Sequence, residues 1–321
     1  MGAAGLAIVG GGPAGCAAAA TARLAGIDVA LYDGGPSSWT RPVESLPPGT
    51  DALMDEIFGP DAFQPDEHLP AYANESRWGS DELETADFVF NPFGHGWHVR
   101  RPAFDAALLA AVRRIGVRVV NERVTRVPQA AFVIDATGRS ARIARAFGAR
   151  RERADRLVAV FREAAVEGSS TTVVAHENGW SYSAPGITAF VTDADLLPHL
   201  PGRVTDASTS WLDRLAGPGW AATGDAAVAF DPLSSQGIVS AIVMGREAGR
   251  LAAGGEITAE EYEQQYASML EEHLALREAY YGLERRWAEA EFWRRRPYPN
   301  AYSTFVDGGG SLMVTGSLPE V

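Results

Sequence analysis

The chain has 321 residues, 46% hydrophobic and 21% charged, with a formal net charge of −13. This is the composition of a globular protein of one large or two medium-sized domains, and it excludes a disordered, collagen-like or disulfide-stapled chain. So acidic a chain has no general attraction for nucleic acid or anionic membranes, and its longest apolar runs fall far short of the roughly 20 residues that span a bilayer.

No basic stretch precedes the first apolar segment, so that segment reads as a strand rather than a secretory signal. The single cysteine, Cys16, leaves no internal disulfide, which fits a cytoplasmic protein. All 28 basic residues are arginine. Chemistry that needs a lysine amine, as Schiff base, general base or phosphate-binding point charge, is therefore excluded.

In chain order, Leu6 to Val9 has the pattern of a short buried strand, followed by Gly10-Gly11-Gly12-Pro13-Ala14-Gly15 and an alanine-rich helix to about Ala25. A second strand runs from Asp28 to Tyr32 and ends at Asp33, 18 residues past Gly15. Gly10, Gly12 and Gly15 occupy the G-x-G-x-x-G positions. The first serves a tight turn, the second a close approach of backbone to pyrophosphate, and the third the packing of helix on strand. The helix start offers free N–H groups to phosphate and Asp33 offers acceptors to ribose hydroxyls. Cys16 reads as a small residue packed on the sheet.

From Gly34 to Gly96 prolines such as Pro36, Pro42, Pro47, Pro48, Pro60, Pro65 and Pro70 break any long helix, and the segment is too long for a strand-to-helix connection. It reads as an excursion toward a substrate region. Pro102 to Ile115 forms an amphipathic helix, Val117 to Val120 a strand, and Ala131 to Ile134 a buried strand ending in Asp135-Ala136-Thr137-Gly138. Strand-like segments follow at Leu157 to Ala165, Thr171 to His176, Trp180 to Ala184 and Ile187 to Thr192, suggesting an inserted antiparallel sheet. The chain re-enters the parallel sheet at Ala221 to Gly224, and Asp231-Pro232-Leu233-Ser234-Ser235-Gln236-Gly237-Ile238 opens a helix to about Ala253. A last long helix is predicted from Ala259 to Arg296, stopped by Pro297.

The glycine turn, Arg101-Pro102-Ala103-Phe104-Asp105, Asp135-Ala136-Thr137-Gly138, and Gly224-Asp225 with Asp231-Pro232 stand in an order that resembles the FAD-dependent monooxygenases of the aromatic-hydroxylase and tryptophan-halogenase superfamily. Within it, Glu44-Ser45-Leu46-Pro47-Pro48, Trp78-Gly79-Ser80, Gly94-His95-Gly96-Trp97-His98 and the Asp231 to Ile238 segment look most like the flavoprotein maturases of tryptophylquinone amine and amino-acid oxidases, which hydroxylate a tryptophan in a partner protein. The resemblance implies an α/β fold: a Rossmann-like FAD-binding parallel sheet with an inserted, shortened antiparallel substrate sheet and a C-terminal helical extension. The corresponding division places FAD-binding segments at 1–75, 101–155 and 211–255, substrate-region strands at 76–100, the substrate sheet at 156–210 and the C-terminal helix and tail at 256–321.

Residue by residue, the resemblance assigns Gly10, Gly12 and Gly15 to the pyrophosphate and Asp33 to the adenosine ribose. It sets Arg41 along the flavin, Arg101 in contact with the cofactor, Asp225 at the ribityl chain and pyrophosphate, and Pro232, Gly237 and Ile238 at the isoalloxazine edge. A helix start at this last segment would also favour negative charge on reduced flavin, the alternative being an ordinary N-cap formed by Asp231 or Ser234.

Halogenases of the superfamily use a lysine near the flavin and carry a Trp-x-Trp-x-Ile-Pro signature. The chain has neither, and Arg77, in the corresponding stretch, stays protonated. Hydroxylation through a flavin C4a-hydroperoxide asks for a dry, aromatic-lined pocket, for which Trp78, Trp97, Phe90, Phe93 and Trp180 are candidates, Trp78 and Trp97 foremost as substrate contacts. A base acting on an indole N–H or a developing phenol points to His95 and His98, beside the glycine-tryptophan run. No histidine set has metal-ligand spacing, so no metal is expected.

The implied activity is hydroxylation of an aromatic ring, a tryptophan or indole in a peptide or partner protein, with electrons from NAD(P)H or a separate flavin reductase. A two-electron flavin oxidase or dehydrogenase of a small natural-product intermediate, and a flavin-binding accessory protein without turnover, are the alternatives. On the last helix Tyr280, Leu283, Trp287 and Trp293 form a packing stripe, and Arg294-Arg295-Arg296 reads either as part of that surface or as a dock for an acidic partner segment.

Overall fold

The computed structural model describes residues 5–35, 43–255 and 257–296. Its helices are α1 (Pro13–Leu24), α2 (Thr50–Phe58), α3 (Arg101–Arg114), α4 (Arg142–Ala146), α5 (Gly237–Ala253), α6 (Ala259–Leu283) and α7 (Glu291–Arg294). None is long and apolar enough to cross a membrane.

Leu6–Val9 is buried along its whole length because it has neighbours on both edges and helices on its faces. It pairs in parallel with Val29–Asp33 and with Phe132–Asp135. Trp220–Ala222 and Arg118–Asn121 extend the sheet in parallel, and Ala216–Gly217 closes one edge antiparallel. The carboxyl ends of the parallel strands thus gather at one edge, where ligands of open α/β sheets bind.

The alanines of α1 have a tertiary reason. A Cβ added at Gly245 would lie 2.4 Å from the Ala14 carbonyl oxygen, and one at Gly249 would lie 2.7 Å from that of Ala18. The two helices therefore touch backbone to backbone. Because the contacts advance together along both chains, α1 and α5 run parallel and start at the same end of the sheet.

A seven-stranded sheet stands beside this unit, in the order Arg203–Asp206, Leu157–Glu163, Ile187–Asp193, Gly179–Ala184, Ser170–His176, Ala73–Arg77, Glu84–Asp87. The four strands expected between residues 157 and 192 are present and antiparallel. The sheet is broader than predicted because Arg203–Asp206 adds one edge strand and the 34–96 excursion supplies two more, of which Ala73–Arg77 joins Ser170–His176 in parallel. The rest of that excursion is ordered too. It holds α2 and a small sheet in which Gly96–Arg100 lies between Val43–Leu46 and Leu69–Ala71. Its prolines are compatible with this order, since Pro47 and Pro48 precede α2, Pro60 follows it, and Pro70 sits on an edge strand.

The long C-terminal helix predicted to Arg296 ends at Leu283. Glu284 leaves the helical conformation and turns its carboxylate to the Gly79 N–H (2.9 Å) and to the backbone N–H and guanidinium of Arg286. A buried carboxylate demands such partners, and the chain bends to supply them. The aromatic stripe is consequently not one helical face. Trp293, on α7, returns into a core with Trp78, Trp180 and Tyr281. The arginine cluster is an internal clamp, with Arg295 and Arg296 on Asp193, Arg295 also on Asp195, and Arg294 on Glu291.

Candidate dinucleotide and substrate site

The three glycines of the first turn answer to different constraints. Gly10 has φ +117°, and a Cβ there would lie 2.1 Å from the Ala136 carbonyl oxygen. A Cβ at Gly15 would lie 1.9 Å from the Gly10 carbonyl oxygen, so helix and strand close on one another at this point. At Gly12 a Cβ meets nothing within 4 Å. Here the absent side chain leaves open space beside a helix start that has no side-chain cap and no acid in its first turn. These are the features a pyrophosphate requires, namely free N–H groups, a positive dipole end and room. Asp33 ends its strand beside this turn, close enough that a Cβ at Gly11 would lie 2.8 Å from its Cβ. The turn and Asp33 together fit an adenine dinucleotide. Cys16 is fully buried, its Sγ 3.3 Å from the Gly11 carbonyl, and burial pushes its thiol pKa up.

The Asp135-Ala136-Thr137-Gly138 segment is a structural hub. The Asp135 carboxylate accepts from the backbone N–H groups of Thr137 (2.9 Å), Ile143 (2.8 Å) and Ala144 (2.7 Å) and so starts α4, while its carbonyl holds the Thr223 N–H. Thr223 leads directly into Gly224 and Asp225. The Asp225 side chain is 37% exposed, with the Arg139 Nε 3.7 Å away, and Arg151 donates to the Asp225 and Ala226 carbonyls from beneath. Asp225, Gly224 and Gly237 line one narrow cleft with Phe230, Ser240 and Tyr266.

Beyond it the predicted helix start divides in two. Pro232–Ser234 is a 3-10 turn capped by Asp231, which accepts from the Leu233 N–H. Ser235 then takes φ +52°, and α5 begins at Gly237 with Gln236 as an N-cap that makes no side-chain hydrogen bond. Asp231 therefore caps the turn and not α5. The first N–H groups of α5 have no acid in their turn and stand at the same end of the sheet as those of α1. Pro232 is partly buried, Gly237 exposed and Ile238 buried.

Residues without a sequence signature hold this turn from behind. Arg277 of α6 bridges Asp231 and Asp155, each at 2.9 Å, Tyr281 donates to Asp231, and the Asp231 N–H reaches His273 Nε2 at 3.1 Å. Burial lowers the His273 pKa to about 4, so at neutral pH it is the acceptor this bond needs. Spacing alone offered only a stripe on a helix.

The sequence-predicted side chains are distributed as follows. Arg41 lies outside the described residues. Arg101, at the start of α3, gives its guanidinium to Glu44 and Asp105. Burial works against its charge, but the two carboxylates outweigh it and hold the pKa above the ordinary arginine value. Trp78 is buried, its Nε1 donating to the Tyr280 carbonyl at 2.7 Å and its ring edge-on to Trp180, Tyr281 and Trp293, which is core packing. Trp97 faces away from the broad sheet, against Phe63 and His95. His95 holds the Gly96 carbonyl at 2.8 Å and is partly buried. Phe90 and Phe93 are 96% and 59% exposed, and Trp180 is buried against Tyr281. Among the described residues no three His, Cys, Asp or Glu side chains are grouped to hold a metal.

His98 is fully buried, and burial lowers its pKa. It joins Ser45 (2.9 Å) and the Ser169 carbonyl (3.2 Å), and Ser45 in turn meets Thr171 and Tyr182, each at 2.8 Å. This network ties the small sheet to the inner face of the broad one. On that face alternate positions sort by burial. The rows holding Trp180, Ala175 and Val191 at one end, and Ala184 and Ile187 at the other, are closed. Between them Phe161, Tyr182, Val173 and Ser76 are only partly covered, flanking a buried Ala189. Leu233, of the turn that precedes α5, packs against the same cluster. A mostly apolar, partly covered row that also carries the Tyr182 phenol and the Ser76 hydroxyl therefore lies on the face of the broad sheet nearest that turn. Arg77 is exposed and shares the outer face with Glu75.

Residues 8–41 match the NAD(P)-binding Rossmann-like domain. The provisionally named FAD-dependent oxidoreductase LodB of Marinomonas mediterranea is 26% identical over 366 aligned positions, covering 90% of this chain and 95% of that protein. Among solved structures, the myxobacterial chondrochloren halogenase CndH superposes with a TM-score of 0.80 at 21% identity, over 94% of this chain and 87% of that one. The peptidyl tryptophan dihydroxylase QhpG, essential for tryptophylquinone cofactor biogenesis, superposes with a TM-score of 0.72 at 21% identity, over 92% and 79%. The chain is thus a homologue of a FAD-dependent oxidoreductase, built on a Rossmann-like dinucleotide domain and sharing the fold of flavin-dependent halogenases and of a tryptophan dihydroxylase.

Proposed function

We propose that this protein is a FAD-dependent monooxygenase that hydroxylates an aromatic ring, a tryptophan or indole carried by a peptide or protein. The observation that carries the reading is the partly covered aromatic and apolar row Phe161, Tyr182, Val173 beside the turn that leads into the uncapped start of α5. FAD would be held by Gly10, Gly12, Gly15 and Asp33 at the adenosine and pyrophosphate, by Asp225 at the ribityl chain, and by Pro232, Gly237 and Ile238 at the ring edge, with Arg41 and Arg101 as further contacts. When bound it supplies oxygen activation with electrons from NAD(P)H or a partner reductase. The protein's part is to orient the substrate ring, exclude water through the apolar row, and favour anionic reduced flavin at the α5 start. Likeness to LodB supports a FAD-dependent oxidoreductase, and likeness to QhpG supports oxidation of a peptide-borne tryptophan. Against lysine-directed halogenation stand the chain's lack of lysine and the outward face of Arg77.

The test is turnover of tryptophan-containing peptides by the FAD-loaded, reduced protein under ¹⁸O₂. Label in a hydroxylated product supports the reading. Oxidised product without label, with hydrogen peroxide released, replaces it by a two-electron oxidase. A protein that cannot be loaded with FAD refutes both.

A further inference from the structure

Glu84–Asp87 is the last strand of the broad sheet. Ala73–Arg77 pairs along one of its edges in unbroken register, and among the described residues no strand pairs along the other. A bare edge of N–H and C=O groups is a template for one more strand, which proteins commonly withdraw with a bulge, a proline or a covering loop. Residues 81–90 contain no proline, and the edge is pinned at both ends. Before it, Glu284 holds the Gly79 N–H and Arg286 holds Asp81; after it, the Asp87 carboxylate accepts from the Val89 N–H at 2.6 Å. The same ten residues carry Asp81, Glu82, Glu84 and Asp87 with no base, and Leu83, Val89 and Phe90 present apolar surface to solvent. Arg286 engages Asp81, whereas among the described residues Glu82, Glu84 and Asp87 form no ion pair. The edge also leads somewhere. Cross-strand pairing runs in one line from Phe161 through Ala189, Tyr182, Val173 and Ser76 to Glu84, so the partly covered row ends on this open strand.

We infer that the outer edge of Glu84–Asp87 docks the peptide that carries the substrate ring, as an added strand of basic and apolar sequence. The inference rests on the proposed peptide substrate, but not on oxygen insertion. Main-chain hydrogen bonds to the edge supply affinity, and the acids with Leu83, Val89 and Phe90 select the sequence. Charge decides between occupants. A second copy of the chain would set Glu82, Glu84 and Asp87 against the same acids, and residues 297–321 bring Asp307 and Glu320 and no base. A basic segment of a partner is complementary to this edge where those two are not. The register then sets a spacing. Neighbouring strands lie about 4.8 Å apart, so Val173 stands about 14 Å from an added strand, a distance that about four extended residues cover.

The experiment uses the full chain loaded with oxidised FAD and a short dye-labelled peptide of alternating arginine and valine, read by fluorescence anisotropy at about 0.15 M salt, where distant charges are screened. The arginine peptide is expected to bind, and its glutamate counterpart at least about tenfold more weakly. Methylating alternate backbone nitrogens keeps every side chain and removes the donors of one edge. One of the two methylation phases should therefore lose about tenfold or more, while the other binds as the parent does. Glu82→Arg/Glu84→Arg, at exposed positions, should keep FAD content and melting temperature and weaken the arginine peptide by about tenfold. The proposal is overturned by equal binding of the parent and both methylated peptides, which is ionic attraction only, by unchanged affinity in the charge-reversed protein, or by self-association of wild type through this edge in sedimentation. Peptides that dock at the edge with a tryptophan about four residues beyond the basic segment, yet take up no ¹⁸O on reduction, leave the docking edge in place and refute the monooxygenase reading alone. Uptake of ¹⁸O that is indifferent to the basic segment and to the charge reversal refutes the docking edge alone.

Discussion

Two glycines of one motif should fail in opposite ways when each is given a single methyl group. Gly12 has φ −77° and ψ −176°, an extended conformation that alanine adopts without strain, and its added Cβ meets no atom within 4 Å. The stability of apo Gly12→Ala should stay within about 0.5 kcal/mol of wild type. The methyl group instead occupies the space proposed for the pyrophosphate. Displacing a tightly fitted group there costs about 1–3 kcal/mol, or roughly 5- to 150-fold in FAD affinity. At Gly15 the added Cβ would sit 1.9 Å from the Gly10 carbonyl oxygen, backbone that cannot give way without parting α1 from its strand. Gly15→Ala should lose about 3 kcal/mol or more before any ligand is added, which lowers the apo melting temperature by roughly 2 °C for each kcal/mol in a chain of this size. Thermal unfolding of both apo variants, with FAD titrated by flavin fluorescence quenching, separates the two roles. A Gly12→Ala protein that melts like Gly15→Ala, or that binds FAD as wild type does, would refute the assignment of that space to the cofactor.

Two further outcomes follow from the brace behind the Asp231 turn. Arg277→Leu strands the buried carboxylates of Asp231 and Asp155 and should cost about 3–5 kcal/mol; a chemical-denaturation midpoint equal to wild type would show that the bridge adds nothing. His273, facing Asp231, Arg277 and the Phe230 ring, has its pKa lowered by burial to about 4 from an ordinary 6.5. The unfolded chain therefore binds its proton first. The stabilisation is complete above pH 6.5 and lost as pH falls toward 4, about 3 kcal/mol in all. His273→Gln, which keeps an acceptor for the Asp231 N–H, should shrink the stability difference between pH 7 and pH 4.5 by about that amount, and an unchanged difference would contradict it.

The dinucleotide half of the site was legible in sequence because its requirements are local. A turn that must lack side chains, a helix start and an acid at a strand end all fall within residues 6 to 33, and each is a property of a few adjacent residues. The Asp231 to Ile238 segment was legible in kind, although Asp231 caps the preceding turn and leaves the start of α5 bare. His95, Trp97 and His98 are neighbours in the chain, but a strand alternates its faces and Trp97 points opposite to His98. The expectation of substrate-region strands at 76–100 left open which sheet residues 73–87 complete, since strand pairing is set by partners far away in the chain.

By itself, then, the sequence determined that a Rossmann-like turn opens the chain, that no lysine chemistry is available, and that a polar turn leads into a second helix start. Only the tertiary structure decided what stands across from that turn. Arg277 and Tyr281 brace Asp231 from a helix some fifty residues on, and Ser45, His98 and Tyr182 come from three distant strands into one hydrogen-bonded network. Hydrogen bonds among side chains depend on ångström-level juxtaposition, and it is packing between elements, not spacing within one, that sets such distances.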